Sequence, residues 1–163
     1  MAEGFLGRFG GRGQTAKTAS EKTFEVEFSD EEWRRRLTSA QYQVLRGHGT
    51  ERAGTSPLDK EYGPGVYNCA GCGHKLFDAG TKFNSRTGWP SFWAPLDNAV
   101  GETSDRSFFM VRTEVHCRHC GGHLGHVFED GPQPTGLRYC MNGVSLDFTA
   151  GETQPDAAAE KKS

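Results

Sequence analysis

Five cysteines divide the chemistry of this chain into two jobs. Four of them form two C-x-x-C pairs, Cys69-Ala70-Gly71-Cys72 and Cys117-Arg118-His119-Cys120, and the fifth, Cys140, stands apart. Each pair is followed by a glycine, Gly73 or Gly121, that tolerates the backbone of a tight turn. Two such knuckles are the pattern of a tetrahedral four-cysteine site for one structural zinc ion, and iron can take the same sulfur geometry. The stretch from Gly73 to His116 is long for a self-contained finger, so the metal is expected to clamp two distant parts of one fold. His74, His116 and His119 flank the knuckles, but four thiolates already complete the ligand set. That leaves Cys140 as the candidate nucleophile. An isolated thiol is mostly protonated at neutral pH, so it needs a neighbouring cation or donor. Arg138, two residues earlier on an expected strand, shares a face with it. His123 and His126 are the paired groups outside the knuckles that titrate near neutrality, and they are the candidate proton donors.

These residues are predicted to ride on a mainly β scaffold. Short strands broken by Gly and Pro are expected at Gly65–Asn68, Lys75–Asp78, Ser107–His116, His126–Glu129, Arg138–Met141 and Val144–Phe148, with turns at Gly101 and Gly121. Helices are confined to the N-terminal end of the core. Ser29 with Glu32 and Thr38 with Gln41 read as two capping boxes, ahead of Trp33 and Leu37 and of Tyr42, Val44 and Leu45, and Gly47 stops the second helix.

The 163 residues suit one domain at 23–148 between tails at 1–22 and 149–163, which are too poor in large apolar groups to offset the entropy of ordering them. Lys and Arg number 19 against 21 Asp and Glu, a net charge of −2 that points to no nucleic-acid or membrane partner. No apolar run is long enough to span a bilayer, and residues 1–22 lack the apolar core of a secretory signal. An odd cysteine count with two C-x-x-C pairs reads as reduced and metal-loaded, so the cytoplasm is expected. Arg8, Arg12, Lys17 and Lys22, spread among Ser, Thr and Ala, keep an organelle as the alternative. A monomer is expected.

Four further segments, Thr87-Gly88-Trp89-Pro90-Ser91-Phe92, Gly121 to Phe128 with its H-L-G-H-V-F, Glu129-Asp130-Gly131-Pro132, and Arg138-Tyr139-Cys140-Met141-Asn142, interleave with the zinc pairs. Together they closely resemble the methionine-R-sulfoxide reductases, from about Ser29 to Phe148. The resemblance implies two antiparallel sheets, a structural zinc remote from the active site, and thiol-dependent reduction of the R epimer of methionine sulfoxide, mainly within oxidised proteins. In that chemistry the Cys140 thiolate attacks sulfur while the sulfoxide oxygen takes protons and leaves as water, and addition of a water to the Cys140 sulfur as methionine departs leaves Cys140 as a sulfenic acid. His123 and His126 would hydrogen-bond the oxygen, Asn142 matches a position that organises this polar side, and Asp130 is expected to orient a histidine. The substrate's methyl group calls for an aromatic wall. Trp89 matches the family's pocket tryptophan, with Phe128 or Phe92 completing the wall.

Many members of that family carry a second cysteine just before Gly-Trp-Pro-Ser-Phe, where this chain has Thr87. The remaining cysteines are assigned to zinc, so the sulfenic acid is expected to meet an external thiol: thioredoxin, glutathione with glutaredoxin, or another dithiol. Two readings compete. A zinc-ribbon binding module would show basic and aromatic surface clusters that the charge balance does not supply. A Cys–His hydrolase would turn over no sulfoxide.

Overall fold

The computed structural model describes residues 24–106 and 109–151. Two short helices lead in. Helix α1 (Asp30–Arg36) is capped by the Ser29 hydroxyl, which accepts the Glu32 amide, and it carries acids in its first turn and arginines in its last, as the helix dipole favours. Only half of the expected capping box forms here. The Glu32 carboxylate turns instead to Arg35 and Arg36. Helix α2 (Ser39–Leu45) has the full box, with Thr38 and Gln41 each satisfying the other's amide at 3.1 and 2.9 Å. At seven residues each, neither helix would persist alone. Burial of Trp33, Val44 and Leu45 holds them.

Among the described residues nine strands follow. They are β1 (Gly65–Cys69), β2 (Lys75–Asp78), β3 (Lys82–Phe83), β4 (Ser91–Phe92), β5 (Val100–Asp105), β6 (Arg112–Cys117), β7 (His123–Phe128), β8 (Arg138–Met141) and β9 (Leu146–Ala150). All pairings are antiparallel, in a three-stranded sheet ordered β2-β1-β9 and a six-stranded sheet ordered β3-β4-β8-β7-β6-β5. The mainly β, two-sheet expectation therefore holds. Tyr67 of the small sheet meets Phe92 of the large one edge to face at 5.0 Å, and Phe77 stacks on Phe92 at 4.3 Å. These rings, with Leu76, Val115, Leu124 and Met141, form the dry interior between the sheets. Among the described residues no helix is long and apolar enough to cross a membrane.

The structure departs from the sequence reading in several places. Of the strand expected over Ser107–His116 only Arg112–His116 is extended, as part of β6, and its antiparallel partner β5 (Val100–Asp105) is not among the expected strands. Strand β5 is an edge strand paired on one side and largely exposed, so Gly-Glu-Thr-Ser-Asp carries no apolar alternation to betray it. Gly101 lies within that strand rather than in a turn, and a Cβ there would strike the His116 ring packed across it. Strand β7 begins at His123, not His126, and Gly143–Ser145 forms a 3-10 turn before β9. Strand β9 runs past the expected boundary at 148, with Thr149 opposite Val66 and Ala150 opposite Gly65. The expected tail at 1–22, and residues 152–163 of the one expected at 149–163, lie outside the described residues.

Pairing across the large sheet lines up the chemistry. Ser91 lies opposite Cys140, Cys140 opposite His126, and His126 opposite Glu114. In the next row Arg138 lies opposite Phe128, and Arg112 opposite Asp105. Gly125 makes this possible, because a Cβ there would run into the Cys140 carbonyl and crowd the Cα of Met141. Gly125→Ala is expected to wedge β7 from β8 and cost ~1–3 kcal/mol in urea unfolding. An unchanged midpoint would mean that the two strands are not limited by this contact.

Candidate active site

Cys140 sits half-buried in a cleft of about 280 Å3 lined by Thr87, Trp89, His126, Phe128 and Arg138, with Thr50, Arg112, Gly125, Met141 and Asn142 around them. Burial pushes its thiol up from the ordinary value, against the pull of the Arg138 charge and of hydrogen bonds from Thr87, Ser91 and Arg138. The thiol is therefore held in waiting, with donors already arrayed to take its charge. Thr87 and Ser91 belong to a hydroxyl chain in which Ser85 lies 2.8 Å from Thr87 and 2.7 Å from Ser91.

Arg138 is fixed by two bonds to Asp130, at 2.8 and 3.1 Å, and its guanidinium lies over the Phe128 ring at 4.4 Å. Asp130 thus orients the arginine, not a histidine, as the sequence reading expects. The histidine's carboxylate is Asp105, whose Oδ2 lies 2.7 Å from His126 Nε2 and 3.4 Å from Arg112. Burial lowers the pKa of His126, partly offset by the Asp105 hydrogen bond and reinforced by the Arg112 and His123 charges. Asp105 and Arg112 bracket the β5–β6 hairpin, and with β5 unread no sequence signal points to them.

The two histidines are not equivalent. His126 lines the cleft, while His123 does not and is only 2% exposed. The rings meet edge to face at 5.4 Å beside a register irregularity in the β6–β7 ladder. His123 Nδ1 lies 2.9 Å from Glu114, whose other oxygen is 3.4 Å from His116. Burial opposes that carboxylate, but the bonds from His116 and His123 outweigh it and hold its pKa at about 2.

Of the aromatic wall, Trp89 and Phe128 are in place, and the Trp89 indole donates to the Glu51 carbonyl at 3.1 Å. Phe92 is not part of it. It is fully buried between Phe77 and Tyr67, because alternation on the two-residue β4 turns Ser91 toward Cys140 and Phe92 inward. Asn142 lines the cleft, but its amide is spent on the scaffold, accepting the Glu51 amide at 2.8 Å and donating to the Leu124 carbonyl at 2.9 Å. Glu51 in turn accepts the amides of Gly143 and Val144 at 2.8 and 3.0 Å, so it ties the loop under Trp89 to the strand carrying Cys140.

The other four cysteines form a separate cluster. All five are free thiols, and the four sulfurs of Cys69, Cys72, Cys117 and Cys120 lie within 4.8 Å of one another. Cys69–Cys120 is 3.7 Å and Cys72–Cys117 is 3.6 Å. A tetrahedron with metal–sulfur bonds of about 2.3 Å has edges of about 3.8 Å, so the cage fits a metal ion. The amides of Gly71 and His119 point at Cys69 and Cys117 at 3.3 Å, which favours thiolates, and Gly73 and Gly121 take the positive φ that the turns require.

The SelR domain family matches residues 37–150. Peptide methionine sulfoxide reductase MsrB of Leptospira interrogans is 54% identical over 126 residues, covering 77% of this chain and 96% of the relative. The MsrB of Methanosarcina mazei is 51% identical over 139 residues, 85% of this chain and 97% of the relative. The chloroplastic peptide methionine sulfoxide reductase B1 of Arabidopsis thaliana is 49% identical over 138 residues, 84% of this chain and 68% of the relative. This chain belongs to the SelR family of oxidoreductases, together with these MsrB proteins.

The folded state prefers His126 neutral, so its contribution to stability is present above the ordinary pKa of 6.5 and lost as pH falls below it. NMR of the imidazole nitrogens should show His126 titrating below 6.5, and lower still in Asp105→Asn. Titration at or above that value, or no response to Asp105→Asn, would contradict the assignment of burial and Asp105 as the opposing forces.

Proposed function

We propose that the chain reduces methionine sulfoxide to methionine, acting on the R epimer within proteins through a sulfenic acid at Cys140. The observation that carries this reading is His126 directly opposite Cys140 on β7 and β8, in a cleft walled by Trp89, Phe128 and Arg138. Trp89 and Phe128 receive the methyl group, turning the sulfoxide oxygen toward the polar side. Residues directly opposite have Cβ atoms about 4.5–5.5 Å apart, so the proton leaving the Cys140 thiol can pass to His126. Asp105 stabilises the imidazolium, His123 packs edge to face against it and orients it, and His126 then gives the proton to the sulfoxide oxygen. The Cys140 sulfur attacks the substrate sulfur. The net change moves one oxygen from methionine sulfoxide to Cys140: the substrate is reduced and the thiol becomes a sulfenic acid. Two external thiols then reduce the sulfenic acid, releasing water and leaving as a disulfide, with thioredoxin or another dithiol as the donor.

The four remaining cysteines bind structural zinc in this reading. Their cage fits it, and four thiolates so close together repel unless a cation lies among them. Preference for protein substrates rests on Phe109, Met110 and Val111, which are exposed on the hairpin whose ends, Asp105 and Arg112, stand beside His126. Such an apolar lip suits the unfolded segment that carries an oxidised methionine.

Turnover of the R and S epimers with dithiothreitol tests the proposal. The R epimer is expected to react and the S epimer not, Cys140→Ser to be inactive with its metal retained, and His126→Ala to lose ~10²–10⁴-fold in single-turnover rate. Activity in Cys140→Ser, or a normal rate in His126→Ala, would contradict it.

A further inference from the structure

One cluster of ligating groups touches that mechanism only through the His123 ring that packs on His126. His48 follows α2, with its backbone in the left-handed region (φ 59°) as its amide closes onto the Val44 carbonyl at 3.2 Å. This sets its ring over that of His123, 5.1 Å between centroids, and its Nε2 lies 3.7 Å from Glu114 Oε2. The same oxygen is 2.9 Å from His123 Nδ1, and one ligand atom from each of the three residues lies within 4.8 Å of the others. We propose that His48, Glu114 and His123 form a site for one divalent transition-metal ion, sharing no residue with the cysteine tetrad, and that its occupancy draws His123 away from His126.

The chemistry and the surroundings agree. Two imidazoles and a carboxylate are a donor set for zinc and its neighbours in the first row. Bonds of about 2.0–2.1 Å in a tetrahedron separate ligands by about 3.3–3.4 Å, which the two measured separations bracket. The site is preorganised on one side and open on the other. Glu114 and His123 are buried and held, with His116 gripping the second carboxylate oxygen at 3.4 Å, whereas the His48 side chain is 65% exposed. The adjoining cavity of about 350 Å3 gives an ion room to enter with its waters, and its two carboxylates, Glu114 and Asp105, outnumber its one guanidinium, Arg112.

The test is titration of the zinc-loaded protein with Co2+, read by visible absorption, and of its turnover with Zn2+. One equivalent of Co2+ should give d–d bands with no thiolate-to-metal charge transfer, and Zn2+ should inhibit native turnover. His48→Ala changes an exposed side chain that the reaction does not use. It should keep basal turnover while Co2+ affinity falls on the order of tenfold or more and inhibition is relieved in parallel. A charge-transfer band, no binding, or binding undiminished in His48→Ala would overturn the site. The inhibition arm rests on the reductase reading, but the absorption arm does not, so failure of that reading leaves the metal site judged on its own.

Discussion

The arrangement depends on the pairing of β7 with β8 in the register that sets His126 opposite Cys140. A slip of one residue would turn Cys140 and Arg138 into the core and expose Tyr139 and Met141, at the cost of burying a guanidinium. Burial of Tyr139 and Met141 between the sheets therefore fixes the position of the thiol as firmly as any contact in the cleft does. Gly125 lets the strands approach, Ser91 on β4 closes the row from the other side, and the Asn142 amide pins the end of β8 to the Leu124 carbonyl of β7. The cysteine cage locks the far ends of the same elements. Cys117 ends β6, Cys120 lies three residues before the start of β7, and Cys69 ends β1 of the other sheet.

Electrostatics then divide the labour within the cleft. Each cation or proton carrier near the thiol is paired with a carboxylate: Arg138 with Asp130, His126 and Arg112 together with Asp105, and His123 with Glu114. These pairings let a cation sit close to Cys140 without flooding a half-buried site with unpaired charge. They also keep the resting cleft close to neutral, with the thiol up and the histidine down. Charge separation is thus deferred until a polar sulfoxide arrives to use it.

What was legible in the sequence follows local physics. Doubled C-x-x-C spacing, the caps at Ser29 and Thr38, and the strands Lys75–Asp78 and Arg138–Met141 each depend on neighbours within a few residues, and each was readable. The two-sheet architecture and the pocket role of Trp89 came instead from the family resemblance. Partnerships across the sheet were hidden. Asp105 reaches His126 only because an edge strand without apolar periodicity folds back on β6. Asp130 and Asp105 are chemically alike, so composition cannot say which one finds the arginine and which the histidine. Phe92 and Trp89 share one motif, and β4 alternation alone sends one inward and leaves the other at the cleft. The H-x-x-H spacing likewise conceals that one ring is in the cleft and the other sealed behind it against Glu114.

The central claim is that one thiol does the chemistry while four others hold metal. Intact-mass spectrometry after a single turnover of methionine-R-sulfoxide without reductant tests it most directly, comparing the native chain with Thr87→Cys. Thr87 lines the same cleft as Cys140 and its hydroxyl favours the Cys140 thiolate, so a thiol there is placed to condense with the sulfenic acid. The account predicts a gain of one oxygen in the native protein, trapped at Cys140 by a sulfenic-acid reagent, and a loss of two hydrogens in Thr87→Cys. A two-hydrogen loss already in the native chain would mean that a cysteine of the metal cage resolves the sulfenic acid, and would contradict the separation of the two sites.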